Sequence, residues 1–215
     1  PISGPARRPL DAVSELRQRV MAALALHVSP ELATWGAEVS KPPLYEAYLT
    51  YRAGLAAREG RTWAEARDYF HRAFALDSTF ALALLWEGMA EWCVTLGGPR
   101  LDSIMGRLGQ MRQRLSQAGQ LRLDWLEALN AWDNERTYTI EQRIVEAFDR
   151  GAWERRNLAW QALRTNRPRE AVRILKEIES PALASSPPGG GDYWGLLARG
   201  LHMVGDYRGE LRAFR

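Results

Sequence analysis

The chain has 215 residues, of which 46% are apolar, so it is long enough for one sizeable core or one continuous stack of helices. No apolar run reaches the roughly 18 residues that a membrane-spanning helix needs, and the N-terminus lacks the charged and then apolar pattern of a secretory signal. The net charge is +3. Nearly all of the positive charge is carried by arginine, because Lys41 and Lys176 are the only lysines. These arginines alternate with Glu and Asp in helical windows, which argues against a nucleic-acid surface on one face.

The N-terminal part of the chain predicts a loose leader followed by two capping helices. Residues 1–9 are rich in Pro, Gly and Arg, a composition typical of a poorly ordered terminus. Helical periodicity then runs from about Asp11 to about Val28, with one apolar stripe that comprises Val13, Leu16, Val20, Ala23 and Leu24. A second short helix is predicted within residues 29–43, where a pair of prolines closes it. We expect residues 10–43 to cover the apolar face of the helices that follow.

The next stretch, Tyr48 to Phe80, has small and bulky residues at the spacing of an interlocking helical hairpin. Gly54 stands where one helix approaches the next closely, and Ala66, Phe70 and Ala73 follow on one face of the second helix. The pattern resembles the tetratricopeptide repeat (TPR). That resemblance implies an all-α fold, a TPR-like right-handed solenoid of helical hairpins. The alternative interpretation is an ordinary amphipathic hairpin in a helical bundle.

The repeat recurs farther along the chain with decreasing regularity. Gly88 lies 34 residues after Gly54, one repeat length, but the helix that follows it lacks the small residue and the aromatic residue of the pattern. Ala171 restores the phase in aliphatic form, and Leu175 and Ile178 continue it. We therefore predict a TPR-like stack over residues 44–180 with a degenerate middle, a Pro/Gly-rich loop at 181–191, and a final partial unit at 192–215.

The final unit ends within a helical pattern, and the chain begins with Pro1 rather than Met. We expect the chain to be part of a longer polypeptide. Leu211 and Phe214 face the place where a further helix would pack, so this C-terminal edge is expected to self-associate or to be covered by a partner chain.

A narrower resemblance concerns the order of the helical segments. The run ELRQRVMAALALHVSPELATWGAEVSKPPLYEAYLTYRAGL and the late run YWGLLARGLHMVGDYRGEL resemble the C-terminal TPR region of bacterial regulators. In that family the region follows a TolB-like segment and, farther upstream, a winged-helix DNA-binding or serine/threonine kinase domain. The resemblance implies a soluble partner-binding or sensory module, either cytoplasmic or the extracytoplasmic part of a membrane-anchored regulator.

Catalytic and metal-binding patterns are not found in the sequence. His27, His71 and His202 lie far apart and form neither HExxH nor a spaced Cys/His set. The glycine runs at 97–98 and 189–191 lack the strand, lysine and hydroxyl context of a phosphate-binding loop. We therefore expect no enzyme activity, no cofactor and no metal site.

The TPR resemblance also implies where a partner binds, because the first helix of each hairpin lines the concave side of the stack. The positions in phase with that side form an aromatic surface with an arginine margin, namely Tyr48, Tyr51, Trp92, Arg156, Trp160, Arg164 and Arg199. Such residues dominate binding energy when a contact desolvates them, although at least half of the nine tryptophans should fill the core. We expect a protein or peptide partner with acidic, partly apolar segments. The alternative is a sensor that binds a small anionic or aromatic ligand in the concave groove.

Overall fold

The computed structural model of the protein describes residues 9–28, 42–60, 62–148, 152–178 and 193–213. These ranges contain eleven α-helices and no β-strand, so the all-α fold class predicted from the sequence is confirmed. The chain divides into two compact units, residues 1–130 and 131–215. Residues 1–8 of the predicted leader, the second capping helix between residues 29 and 41, and the predicted loop at 181–191 lie outside the described ranges.

The described helices form two groups in chain order, one in each unit. The first unit contains α1 (Pro9–Val28), α2 (Tyr45–Glu59), α3 (Trp63–Leu76), α4 (Ala81–Thr95), α5 (Pro99–Gln110) and α6 (Gln117–Asn130), with a 3-10 turn at Arg112–Arg114. The second unit contains α7 (Asn134–Phe148), α8 (Ala152–Arg164), α9 (Pro168–Lys176), α10 (Tyr193–Met203) and α11 (Tyr207–Ala213). Consecutive helices of the first unit pack as α2 on α3, α3 on α4 and α4 on α5.

The helical hairpin of α2 and α3 packs through the residues that the repeat pattern singles out. A Cβ atom on Gly54 would lie 2.6 Å from Cε1 of Phe70, so α2 and α3 approach closely at this glycine. Ala66, Phe70 and Ala73 are completely buried on the opposing face of α3. The predicted close approach and the predicted buried face of this hairpin are confirmed. Gly88 plays a related part in α4, where an added Cβ would lie 3.0 Å from Leu126 of α6.

The core of the first unit is aromatic, and this corrects part of the predicted binding surface. The ring of Tyr51 lies 5.5 Å from that of Phe70 and 5.1 Å from that of Phe80, centroid to centroid. Tyr48 and Tyr51 are 1% exposed and Trp92 is 8% exposed. These three side chains therefore fill the core and do not form a surface that a partner can contact. The physical reason is that α2, which carries Tyr48 and Tyr51, packs on α3, while α4, which carries Trp92, packs on α3, α5 and α6.

The apolar stripe of α1 also departs from the prediction. The structure leaves Val13, Leu16, Val20 and Leu24 exposed, so this stripe does not cover the apolar face of the following helices. Polar contacts hold α1 instead: Arg19 donates from Nη1 to the carbonyl oxygen of Pro42 at 2.6 Å and lies 3.5 Å from the Asp77 carboxylate.

Asp77 joins three elements of the first unit through its buried carboxylate. Its Oδ2 accepts the backbone N–H of Leu44 just before α2, and its Oδ1 accepts the N–H and the hydroxyl of Thr79 after α3. Burial alone would raise the pKa of Asp77, but the hydrogen bonds from Thr79 and Leu44, together with Arg19, outweigh burial and lower it. The ionised carboxylate is thus the form that stabilises this junction.

We expect Asp77→Asn to destabilise the first unit by about 1–2 kcal/mol, because charge-assisted hydrogen bonds to the carboxylate are lost. Since the folded-state pKa is lowered, the contribution of Asp77 is fully present above the unfolded-state pKa and is lost as the pH falls through the folded-state pKa. Urea unfolding at pH 7 and near pH 3 measures this effect. The gap between the wild type and Asp77→Asn should narrow at the lower pH, and an equal gap at both values would contradict the assignment.

The second unit has its own core beneath α7 to α10. It is formed by buried aliphatic residues that include Leu158, Ala162 and Leu163 of α8, Ala171 and Leu175 of α9, and Leu197 and Leu201 of α10. Gly200 allows α10 to approach α9, because an added Cβ would lie 2.8 Å from Cγ2 of Val172. Gly205 has φ +82° in the turn between α10 and α11, a conformation that glycine adopts readily. Leu211 is exposed, whereas Phe214 of the predicted C-terminal edge lies outside the described ranges.

Candidate functional site

The second unit carries the part of the predicted binding surface that remains accessible. Arg156, Trp160 and Arg164 succeed one another at four-residue intervals along α8, so they share one face of that helix, and all three are partly buried. Arg199 is exposed on α10. These three side chains thus lie along one helix, and their part in binding stays a prediction.

The centre of this surface is an arginine stacked on two tryptophans. The guanidinium carbon of Arg164 lies 4.8 Å from the ring centroid of Trp160 and 5.6 Å from that of Trp132. Both distances are within the range of cation–π attraction. We call Trp132, Trp160 and Arg164 the Trp-Arg cluster. Trp132 is 56% exposed, so the cluster is open to solvent on the side of this ring.

Trp132 is the member of the cluster that the sequence pattern misassigned. Its spacing from Leu123, Leu126 and Leu129 predicts that the preceding helix continues to this residue. In the structure it follows the end of that helix with φ +57°, the left-handed region that bulky side chains rarely adopt. Backbone conformations of this kind persist only where the surroundings hold them, and they concentrate at functional sites.

The turn that presents Trp132 is set by Asp133. Its Oδ1 accepts the backbone N–H of Arg136 at 3.0 Å, and its carbonyl oxygen accepts the hydroxyl of Thr137 at 2.6 Å. Asp133 is thus the N-cap of α7, and the residue before an N-cap lies outside the helix. A tryptophan directly before an Asp-Asn pair is the sequence signal from which the exposed position of Trp132 follows.

Arg164 has no anionic partner among the described residues. The Nη1 atom of Arg164 is fully buried without a hydrogen bond, and desolvation lowers the pKa of the Arg164 guanidinium. Arg167 of the same unit makes an instructive contrast. It stacks on Tyr138 at 4.4 Å and donates two hydrogen bonds to the carboxylate of Glu135, at 3.1 and 2.9 Å. Among the described residues of this unit, the stacked Arg167 thus has a carboxylate partner and the stacked Arg164 has none.

Two histidines of the described ranges lie beside carboxylates. His71 lies 3.0 Å from Glu87, and His202 lies 3.0 Å from Glu210. Burial raises the pKa of the Cys93 thiol to about 12, so this thiol is protonated at neutral pH. In the part of the chain that the structure describes, no group of three or more His, Cys, Asp or Glu side chains is placed to hold a metal ion.

A cavity of about 500 Å³ lies beside the turn between α8 and α9. It is open, and its lining is formed by Asn166, Arg167, Pro168, Arg169, Glu170, Met203 and Val204. No member of the Trp-Arg cluster contributes to this lining, so the cluster is an open surface feature separate from this cavity.

Comparisons with known proteins do not assign a family. No protein-family model matches the sequence, and a search of curated proteins finds no similar chain. Within the described ranges no helix has the length and apolar character needed to cross a bilayer.

Proposed function

We propose that the chain is a non-catalytic protein-interaction module, a TPR-like helical-hairpin scaffold that binds a protein or peptide through the Trp-Arg cluster. The observation that carries this proposal is the contact of the Arg164 guanidinium with the rings of both Trp160 and the half-exposed Trp132. Tryptophan and arginine are the residues most enriched where truncation costs the most binding energy. A guanidinium that already lies over two rings also loses little side-chain entropy when a partner binds.

The TPR-like arrangement is supported by the α2–α3 hairpin. The glycine, alanine and phenylalanine positions that identify the repeat are those at which α2 and α3 approach. We extend this to a right-handed solenoid that serves as the partner-binding or sensory module of a larger bacterial regulatory protein. The resemblance to the TPR regions of such regulators supports this extension.

A protein or peptide fits the cluster better than a small molecule does. Small-ligand sites are concave and enclose most of the ligand surface, whereas Trp132 is more than half exposed. The cavity beside the α8–α9 turn has neither tryptophan in its lining. Exposed aromatic area with a guanidinium at its centre is typical of a contact between chains.

The test is capture of partners by wild-type chain and by cluster variants. We expect Trp132→Ser and Trp160→Ser each to weaken binding at least tenfold, because truncating a binding hot spot costs about 2 kcal/mol or more. Trp194→Ser is the matched control, because Trp194 is an exposed tryptophan of the same unit that packs on Tyr193 and not on an arginine.

The measurement is a pull-down followed by titration of each captured protein, or of its peptides, against the purified variants. Circular dichroism must show that each variant keeps the helical signal of the wild type. If Trp132→Ser and Trp160→Ser retain every partner at unchanged affinity, the Trp-Arg cluster is not the binding surface. If Trp194→Ser weakens binding equally, the effect is not specific to the cluster.

A further inference from the structure

Arg164 is a partly buried cation that has no counter-ion among the residues that the structure describes, and such a group is costly to maintain. No carboxylate and no hydrogen-bond acceptor among the described residues contacts its guanidinium. The two indole rings offset part of the cost of burying this cation, because their faces attract it. They leave the N–H donors of the guanidinium edge without acceptors, since cation–π contacts engage the face of the group and not its edge.

The orientation of the guanidinium determines which edge remains open. Nη1 is the fully buried nitrogen, while Arg164 as a whole is only partly buried. The open edge therefore carries Nε and Nη2. These two nitrogens project parallel N–H bonds whose spacing matches the two oxygens of a carboxylate. A lysine has no equivalent edge.

The second unit already contains a related contact, which an arginine makes through the edge that carries Nη1 and Nη2. Arg167, stacked on Tyr138, is bound by both oxygens of Glu135. A stacked arginine with a bidentate carboxylate is thus a geometry that this chain builds for itself. Arg164 has the stacking rings but no such carboxylate within the described residues.

The position of Arg164 favours a singly charged ligand. It lies in the last turn of α8, where the carbonyl groups at the helix C-terminus carry partial negative charge. A phosphate dianion is repelled by that end more strongly than a carboxylate is. One guanidinium also neutralises one carboxylate, whereas phosphate sites commonly gather several cations or a helix N-terminus.

We propose that Arg164 binds the carboxylate of an Asp or Glu side chain on a partner chain, through Nε and Nη2, while the Trp132 ring packs on an apolar neighbour of that acid. This inference rests on the proposed function, and it names the chemistry of the partner. The partner segment is acidic with an adjacent apolar residue, and binding at this site depends on the fork of the arginine as well as on its charge.

The test follows the Nε–H signal of Arg164 by nuclear magnetic resonance in the ¹⁵N-labelled chain. The signal is assigned by its absence in Arg164→Lys. The probe is N-acetylglutamate N-methylamide, which carries one side-chain carboxylate, titrated at constant ionic strength. The matched probe is the glutamine analogue, and inorganic phosphate is the third. Arg169→Lys is the control variant, because Arg169 is an exposed arginine of the same unit.

We expect the glutamate probe to shift the Arg164 Nε–H signal and the indole signals of Trp132 and Trp160 with one saturation curve. The glutamine probe should bind the wild-type chain at least tenfold more weakly than the glutamate probe does. The glutamate probe should also bind Arg164→Lys at least tenfold more weakly than it binds the wild type. Arg169→Lys should leave the saturation curve of the glutamate probe unchanged. The inference is overturned if the glutamine probe gives the same curve, if Arg164→Lys binds as well as the wild type, or if phosphate binds more tightly than the glutamate probe.

The peptide experiment separates this inference from the proposed function. Captured peptides are compared with versions in which each Asp or Glu is changed to Asn or Gln. If the neutral versions bind as well as the acidic ones but still require Trp132, the interaction module stands and the carboxylate inference fails. If the glutamate probe binds as expected but no protein or peptide is captured, the carboxylate site stands and the proposed function fails.

Discussion

Gly54→Val is expected to lower the free energy of unfolding of the first unit by about 3 kcal/mol, the upper part of the range for overpacking a core. A Cβ at this position would lie 2.6 and 2.7 Å from two ring atoms of Phe70. The Phe70 ring is completely buried and is itself packed against Tyr51 and Trp86, so it has no space into which to move. The gain in helix propensity from replacing glycine is less than about 1 kcal/mol and does not offset the clash.

Gly106→Ala provides the matched control for this substitution. Gly106 lies within α5, is exposed, and has no atom within 4 Å of an added Cβ. At this position only the gain in helix propensity applies, so we expect Gly106→Ala to raise the free energy of unfolding by up to about 1 kcal/mol. Urea unfolding followed by circular dichroism measures both changes. Combining Gly54→Val with Phe70→Leu should recover part of the loss, and a loss that is unaffected by Phe70→Leu would contradict the proposed clash.

The second large effect is expected at two buried carboxylates in α4. Glu87 and Glu91 are both 3% exposed, and arginines from the neighbouring helices neutralise them. Arg100 of α5 lies 3.1 Å from Glu87 and 3.3 Å from Glu91, and Arg67 of α3 lies 3.4 Å from Glu91. His71 also contacts Glu87. The three helices α3, α4 and α5 are thus joined by one network of charges.

Replacing both Arg67 and Arg100 by Met should destabilise the first unit by about 3 kcal/mol, because Glu91 is then a buried carboxylate without its arginines. Removing one side of a buried ion pair costs about 3–5 kcal/mol, and we take the lower value since Arg100 is half exposed. Adding Glu91→Leu should restore more than half of the loss, because an apolar side chain removes the unpaired charge.

Arg173→Met is the control for this charge network. Arg173 pairs with Glu177 on the surface of α9, where both side chains are more than half exposed. A pair of this kind contributes about 0.5 kcal/mol or less. We compare urea unfolding at low salt and in 0.5 M salt, on the order of several times the physiological ionic strength. This comparison distinguishes the exposed Arg173–Glu177 pair from the charge network of α3, α4 and α5. The network account is wrong if Glu91→Leu fails to improve the double arginine variant, or if Arg173→Met costs as much as that variant.

Local spacing predicted the helices and their closest contacts well. The glycine in α2 and the alanine and phenylalanine in α3 lie within one hairpin, so their contact follows from helix periodicity and a short turn. The same argument predicted the row of Arg156, Trp160 and Arg164 on one face of α8. The residues that meet in a hairpin lie close together along the chain, so the spacing of residue types predicts their contact.

Burial of the aromatic residues was less predictable. Tyr48, Tyr51 and Trp92 occupy positions that an open groove would expose, yet all three are buried. The packing of α2 on α3 buries the two tyrosines, and the packing of α4 on α3, α5 and α6 buries Trp92. Val13, Leu16 and Val20 have the periodicity of a buried stripe, yet they remain exposed on α1. A hydrophobic period shows that a helix has an apolar face, but it does not show whether another helix covers that face.

The sequence by itself determined the all-α class, the α2–α3 hairpin and the arginine and tryptophan row on α8, because each depends on residues that are near one another along the chain. Tertiary structure alone decided that Trp132 meets Arg164, which lies 32 residues later, and that Arg164 finds no acid while Arg167 does. Such encounters depend on the rotation and packing of α7 and α8, which side-chain periodicity leaves open. The candidate site therefore emerged only when the helices were placed in three dimensions.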